Sequence, residues 1–64
     1  MREATTINFK DLGSSDEACL VVRYDQKTVA LALSLKSDGD MEVVMTKKEA
    51  HELLKALKKA VEDR

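Results

Sequence analysis

Proline is absent from these 64 residues, so no position has a locked φ or lacks the backbone donor that a helix or central strand needs. Cysteine occurs once, at Cys19, which excludes an internal disulfide and a thiolate pair for zinc. Histidine also occurs once, at His51, with no cysteine or serine placed to partner it, so a nucleophile activated by a neighbouring base is missing. No apolar run approaches the roughly 18 residues that would suggest a membrane-spanning helix. The opening MREATT lacks the apolar stretch of a signal peptide. These absences predict a cytoplasmic chain without enzymatic activity, cofactor or metal, whose one thiol suits a reducing compartment.

Charge of one sign is also lacking. Eleven basic residues stand against twelve acidic ones, a net of -1, which provides no global attraction to nucleic acid or anionic lipid. Residues 1–46 carry five basic and eight acidic side chains, and residues 47–64 carry six and four, so the body is weakly acidic and the tail weakly basic. A chain this short buries only about 60% of the surface it exposes when unfolded. Below about 70 to 80 residues a single core rarely supplies more than about 3 to 5 kcal/mol, and small domains add disulfides, a metal or a partner. Of these only a partner subunit remains.

What the chain does have is alternation. In Thr28 to Lys36, TVALALSLK, Val29, Leu31, Leu33 and Leu35 alternate with Ala30, Ala32 and Ser34, the period of a strand with two different faces. The large branched face reads as core. The small face is unusual, because a solvated face normally carries charged or long polar residues. Residues 18–25, ACLVVRYD, alternate in the same way, and a tight loop at Gln26-Lys27 sets Tyr24 opposite Val29, Val22 opposite Leu31 and Leu20 opposite Leu33. Gln-Lys suits a type I′ turn poorly, so a four-residue loop of the same parity is equally compatible.

Residues 5–11 form a first strand with Ile7 and Phe9 on one side, followed by a turn cluster in which Gly13 is free to take a positive φ. Ser37-Asp38-Gly39 has the composition of a three-residue hairpin loop with Gly39 left-handed, so that Lys36 faces Asp40, Leu33 faces Val43 and Leu31 faces Met45. The last strand is residues 41–46. Thr46-Lys47-Lys48-Glu49 is a capping box that opens a helix over 47–62, with Ala50, Leu53, Leu54, Leu57 and Val61 on one stripe. The expected fold is α+β: one domain, 1–64, with a four-stranded antiparallel meander over 5–11, 18–25, 28–36 and 41–46 and one C-terminal helix packed on the large-residue face.

Candidate sites are few. His51 reads as a helix-flank residue and Cys19 as a buried or interface thiol. Asp38, Asp40 and Glu42 have the D-x-D-x-E look of a calcium loop fragment, but strand residues begin inside it, so they read as a solvated hairpin tip. Met41 and Met45 read as core gap-fillers. Lys47 and Lys48 occupy the first helical turn, where the macrodipole disfavours cations by about 0.3 to 1 kcal/mol each, and beside free N–H groups they would suit an anion.

The inferred registers gather Cys19, Val21, Ala30, Ala32, Ser34 and Val44 on the small face, with Val21, Ala32 and Val44 in one row and Asn8 next to Val21. A sheet with one helix leaves this face open, and small residues let a second element approach closely, so it is the expected interface of a homodimer or of another protein partner. The order of strands and helix, and MEVVMTKKEAHELLKAL in particular, resembles the small single-stranded-DNA-binding transcriptional coactivator domains over residues 18 to 60. That resemblance implies a homodimer whose sheets bind unwound DNA. The chain's own candidate cations for phosphate are Lys10 and Arg23 on the small face, Lys27 and Lys36 at the loops, and Lys47 and Lys48 at the helix start. The chain departs from that pattern in its acidic body and in Phe9 and Tyr24, which fall on the core face and leave no stacking platform. The expected function is therefore a protein-interaction module, with nucleic-acid binding second.

Overall fold

The alternating segments become strands because each offers one continuous face of large side chains. In the computed structural model, which describes residues 1–63, they form one antiparallel sheet in the order β1 (Arg2–Lys10), β2 (Glu17–Tyr24), β3 (Thr28–Leu35) and β4 (Gly39–Thr46). The helix α1 (Lys47–Glu62) follows without an intervening residue and packs on the sheet beside β3 and β4. The expected meander and C-terminal helix are present.

The β2–β3 register is the expected one: Tyr24 pairs with Val29, Val22 with Leu31 and Leu20 with Leu33. The connection is the four-residue form, built on Asp25. Its carboxylate accepts from the backbone N–H of Lys27 at 2.9 Å, the N–H of Thr28 at 2.7 Å and the Thr28 hydroxyl at 2.8 Å. Neither Gln26 nor Lys27 takes a positive φ, so a type I′ turn is not used.

The β3–β4 register differs from the expected one by two residues. Leu33 pairs with Met41, Leu31 with Val43 and Val29 with Met45. The loop closes one residue earlier, over Lys36-Ser37-Asp38, with Leu35 opposite Gly39 and the Asp38 N–H donating to the Leu35 carbonyl at 3.2 Å. Gly39 does hold a left-handed conformation, φ 88°, but it sits in the first strand pair instead of the loop. A slip of two leaves every side chain on its expected face.

At the other end β1 reaches further than expected, starting at Arg2, with an irregularity between Glu3 and Thr5 that shifts its register. From the loop, where Lys10 pairs with Glu17, the register runs unbroken to Thr5, so Asn8 lies next to Cys19 and Thr6 next to Val21. In the β1–β2 loop Ser15, not Gly13, takes the positive φ, at 64°. Asp11 explains the strain: its carboxylate accepts from the Ser14 N–H at 3.1 Å and the Ser14 hydroxyl at 2.7 Å, while its carbonyl accepts from Ser15 N–H at 2.7 Å. That tight wrap forces the following backbone through the left-handed region. Asp16 then ties this loop to the β3–β4 loop by accepting from Ser37 N–H at 2.9 Å.

Two glycines make opposite demands. A Cβ at Gly39 would meet nothing within 4 Å, so the cost of Gly39→Ala is the left-handed backbone alone. Its expected size is about 1 kcal/mol. A Cβ at Gly13 would meet only the Asp11 carboxylate at an ordinary 3.6 Å, with φ outside the left-handed region. Gly13→Ala should therefore be neutral or stabilising by about 0.4 to 1 kcal/mol. Urea unfolding of the two variants checks both; equal losses would place the strain elsewhere.

Candidate functional site

The registers sort the sheet into two faces. On one, Phe9, Ala18 and Leu35 form a row, then Ile7, Leu20, Leu33 and Met41, then Val22, Leu31 and Val43, then Tyr24, Val29 and Met45. This is the face the helix was expected to cover. It covers one end only. The Lys47 ammonium sits 5.4 Å from the Tyr24 ring centre, and Ala50 and Leu53 are half-buried beside half-buried Met45. Beyond that turn the stripe is bare: Leu54 is 60% exposed, Leu57 54% and Val61 82%. The sheet is bare to match, with Met41 60% exposed and Ile7, Phe9, Leu33 and Val43 nearly half exposed.

The cause lies at Thr46. It is the last residue of β4 and also the helix cap, its hydroxyl accepting from Glu49 N–H at 3.2 Å while the Glu49 carboxylate accepts from Thr46 N–H at 3.0 Å. A chain with no residue between strand and helix has no loop with which to fold the helix back across its own sheet. The described molecule is correspondingly wide and flat, 34 × 33 × 15 Å. Its radius of gyration is 12.9 Å, where a compact chain of this length has about 11 Å.

The other face holds the rows Asn8, Cys19, Ser34 and Asp40; then Thr6, Val21, Ala32 and Glu42; then Glu3, Arg23, Ala30 and Val44. Val44 is thus beside Ala30, not Ala32, and Glu42 takes its place in the central row. The expected row of Val21, Ala32 and Val44 is broken by a carboxylate. Arg23 on β2 reaches Glu42 on β4 at 3.3 Å, so the pair spans β3 above Ala30 and Ala32. Ala30 is only 1% exposed and, with Ala18 at 8%, is one of two buried hydrophobic residues among those described. The small residues of β3 therefore have a partner within the chain: they make room for an ion pair. Cys19, Val21, Ala32 and Ser34 are half-buried, while Val44 is largely exposed.

The expected cations do not converge. Lys10 is opposite Glu17, Arg23 is held by Glu42, and Lys47 lies over Tyr24. At the helix start the Glu49 carboxylate occupies the position an anion would take. His51 is exposed. Among the described residues no three His, Cys, Asp or Glu side chains gather as a metal site would require, and no helix is long and apolar enough to cross a membrane. The hollow nearest to a binding site is open, about 350 Å³, and lies partly on the apolar face against Phe9, Ala18, Leu33, Leu35 and Met41. No family model, curated protein or solved structure matches the chain.

Residues that sequence reasoning assigned to the interior, Leu33, Met41, Val43, Leu54 and Leu57, are thus exposed apolar surface. The signal was the coincidence of strand end and helix cap at Thr46. The capping box also carries a pH dependence. Hydrogen bonds from the Thr46 backbone, then from its hydroxyl, hold the Glu49 carboxyl below its ordinary value of 4.5. Its contribution to stability is fully present above about pH 4.5 and is lost as pH falls through the lowered folded value. Helical circular dichroism followed from pH 7 to pH 2 should fall with acid in the wild type, and Glu49→Gln should show a smaller acid-dependent loss. An identical acid response in the variant would remove this assignment.

Proposed function

We propose that the chain is a non-enzymatic protein-interaction module that works as a homo-oligomer, most simply a homodimer, through the apolar face of its sheet. The observation that carries this is surface area. A folded monomer of 7.1 kDa exposes about 4,100 Å². This chain exposes 5467 Å², a surplus of about 1,400 Å² over that scaling. Standard interfaces take about 800 Å² from each partner and obligate homodimers take more. Part of the exposed surface is apolar on one face of the sheet, where Ile7, Leu33, Met41 and Val43 lie in neighbouring rows and are each 45% exposed or more. Contiguous apolar patches beyond a few hundred Å² mark association surfaces.

The small-residue face, with Cys19, Val21, Ala30, Ala32, Ser34 and Val44, has less to offer a partner. The Arg23–Glu42 pair already lies over its centre, and a partner there would have to desolvate that pair. Nucleic-acid binding through Lys10, Arg23, Lys47 and Lys48 has less support again, since Arg23 is paired with Glu42 and Lys47 lies over the Tyr24 ring within the chain. The free, half-buried thiol of Cys19 suits the cytoplasm.

Neighbouring residues on opposite faces test the reading. Sedimentation equilibrium of the wild type at about 50 μM should give at least twice the 7.1 kDa chain mass. Leu33→Glu should lower that mass toward one chain, and Ala32→Lys should not. The reverse pattern would transfer the interface to the small-residue face, and a monomeric wild type would end the proposal.

A further inference from the structure

We propose that two copies of this chain exchange helices, α1 of each lying across the apolar sheet face of the other about a two-fold axis. This rests on the homo-oligomer proposed above and specifies its geometry. Each chain displays two exposed apolar surfaces. One is convex, the stripe of Leu54, Leu57 and Val61 on α1; the other is broad, the rows of the sheet centred on Leu33 and Val43. A helical stripe on a sheet face is one of the few ways to bury both.

Within one chain the two surfaces stay apart. The capping box at Thr46 starts the helix in the residue after the strand, and only Ala50 and Leu53 of its stripe reach partial burial. Between chains no such tether applies. The dimensions agree: 16 residues of helix span about 24 Å, and the eight-residue strands they would lie against span about 26 Å. The areas agree as well. A surplus of about 1,400 Å² on each chain gives an interface of about 2,800 Å² in all, within the obligate homodimer range of about 2,000 to 5,000 Å².

Symmetry selects two copies. Every chain carries one helix to donate and one face to accept, so a reciprocal two-fold exchange leaves neither surface open. A head-to-tail arrangement either closes into a ring of three or more chains or leaves one of each surface at its ends and grows into a filament, so the two-fold exchange is the smallest closed form. A sheet-to-sheet dimer would cover the broad faces and leave Leu54, Leu57 and Val61 in water. An isolated helix of this length is marginal in water, so α1 gains most from the arrangement that covers its stripe.

The full chain is tested in two measurements besides the wild-type mass. Leu57→Asp alters only the helix stripe and should weaken dimerisation at least tenfold in a sedimentation titration. Since that variant could also lose helix, the second measurement uses the wild type: a mixture of isotope-labelled and unlabelled chains, examined by filtered nuclear Overhauser spectroscopy. Contacts between chains are expected from the Leu54, Leu57 and Val61 methyls to Leu33, Met41 and Val43. A dimeric wild type whose interchain contacts run from sheet to sheet, or whose mass is unmoved by Leu57→Asp, overturns the exchange and leaves the homo-oligomer standing. A monomeric wild type overturns both.

Discussion

At Thr46 a single residue both ends a strand and caps a helix. Two backbone groups that a helix start leaves without partners are satisfied there by side chains three residues apart. The same economy removes the loop. In a sheet-and-helix unit, a connection of two to six residues is what lets a helix turn back over its own sheet. Without it the helix covers the Tyr24, Val29 and Met45 end and runs on, and the geometry of the whole surface follows. One local capping interaction thus decides where more than half of the apolar stripe lies.

The two sheet faces then have different jobs. The small residues of β3 look like a docking groove in sequence, because alanine on a sheet face usually means that something comes close. What comes close is Arg23, whose guanidinium crosses the strand to Glu42. An exposed pair of this kind contributes at most about 1 kcal/mol, so its value lies less in stability than in closing that face with charge. The opposite face has no such cover. Its residues carry no formal charge in the central rows, and Leu33 stays 45% and Met41 60% exposed in a single chain.

Face assignment was legible in the sequence, because alternation is a parity and parity survives a two-residue slip. Register was not. Gly39 marks a left-handed position near the β3–β4 turn, and both a loop over 37–39 and one over 36–38 can use it; the second also lets Asp16 accept from Ser37, a contact 21 residues away in sequence that no local pattern announces. The strained Ser15 was equally hidden, since glycine two residues earlier is the better candidate by type, and only the wrap of Asp11 around Ser14 moves the strain. The capping box, by contrast, was readable to the residue, because it is an interaction among four neighbours. How little of that face the helix covers was hidden for a different reason: hydrophobic pattern says which side chains seek burial and is silent on what provides it.

The edges of the sheet argue for association by faces. A meander leaves two edge strands with unpaired backbone groups, and either could add a strand from another copy. β1 is bent by the irregularity between Glu3 and Thr5 and carries Arg2, Glu3 and Lys10 along its length. β4 carries Asp40 and Glu42 and begins at a left-handed glycine. Two β4 edges brought together antiparallel would set carboxylates near carboxylates, and a bent β1 offers no straight ladder. Charge and irregularity of this sort are how sheets resist edge pairing. The faces differ sharply in the same respect, one crossed by an ion pair and the other left apolar from Ile7 to Val43. Where both edges are defended and one face is not, growth in the plane of the sheet is disfavoured and closure across the face remains, which is also the direction in which α1 has its uncovered leucines.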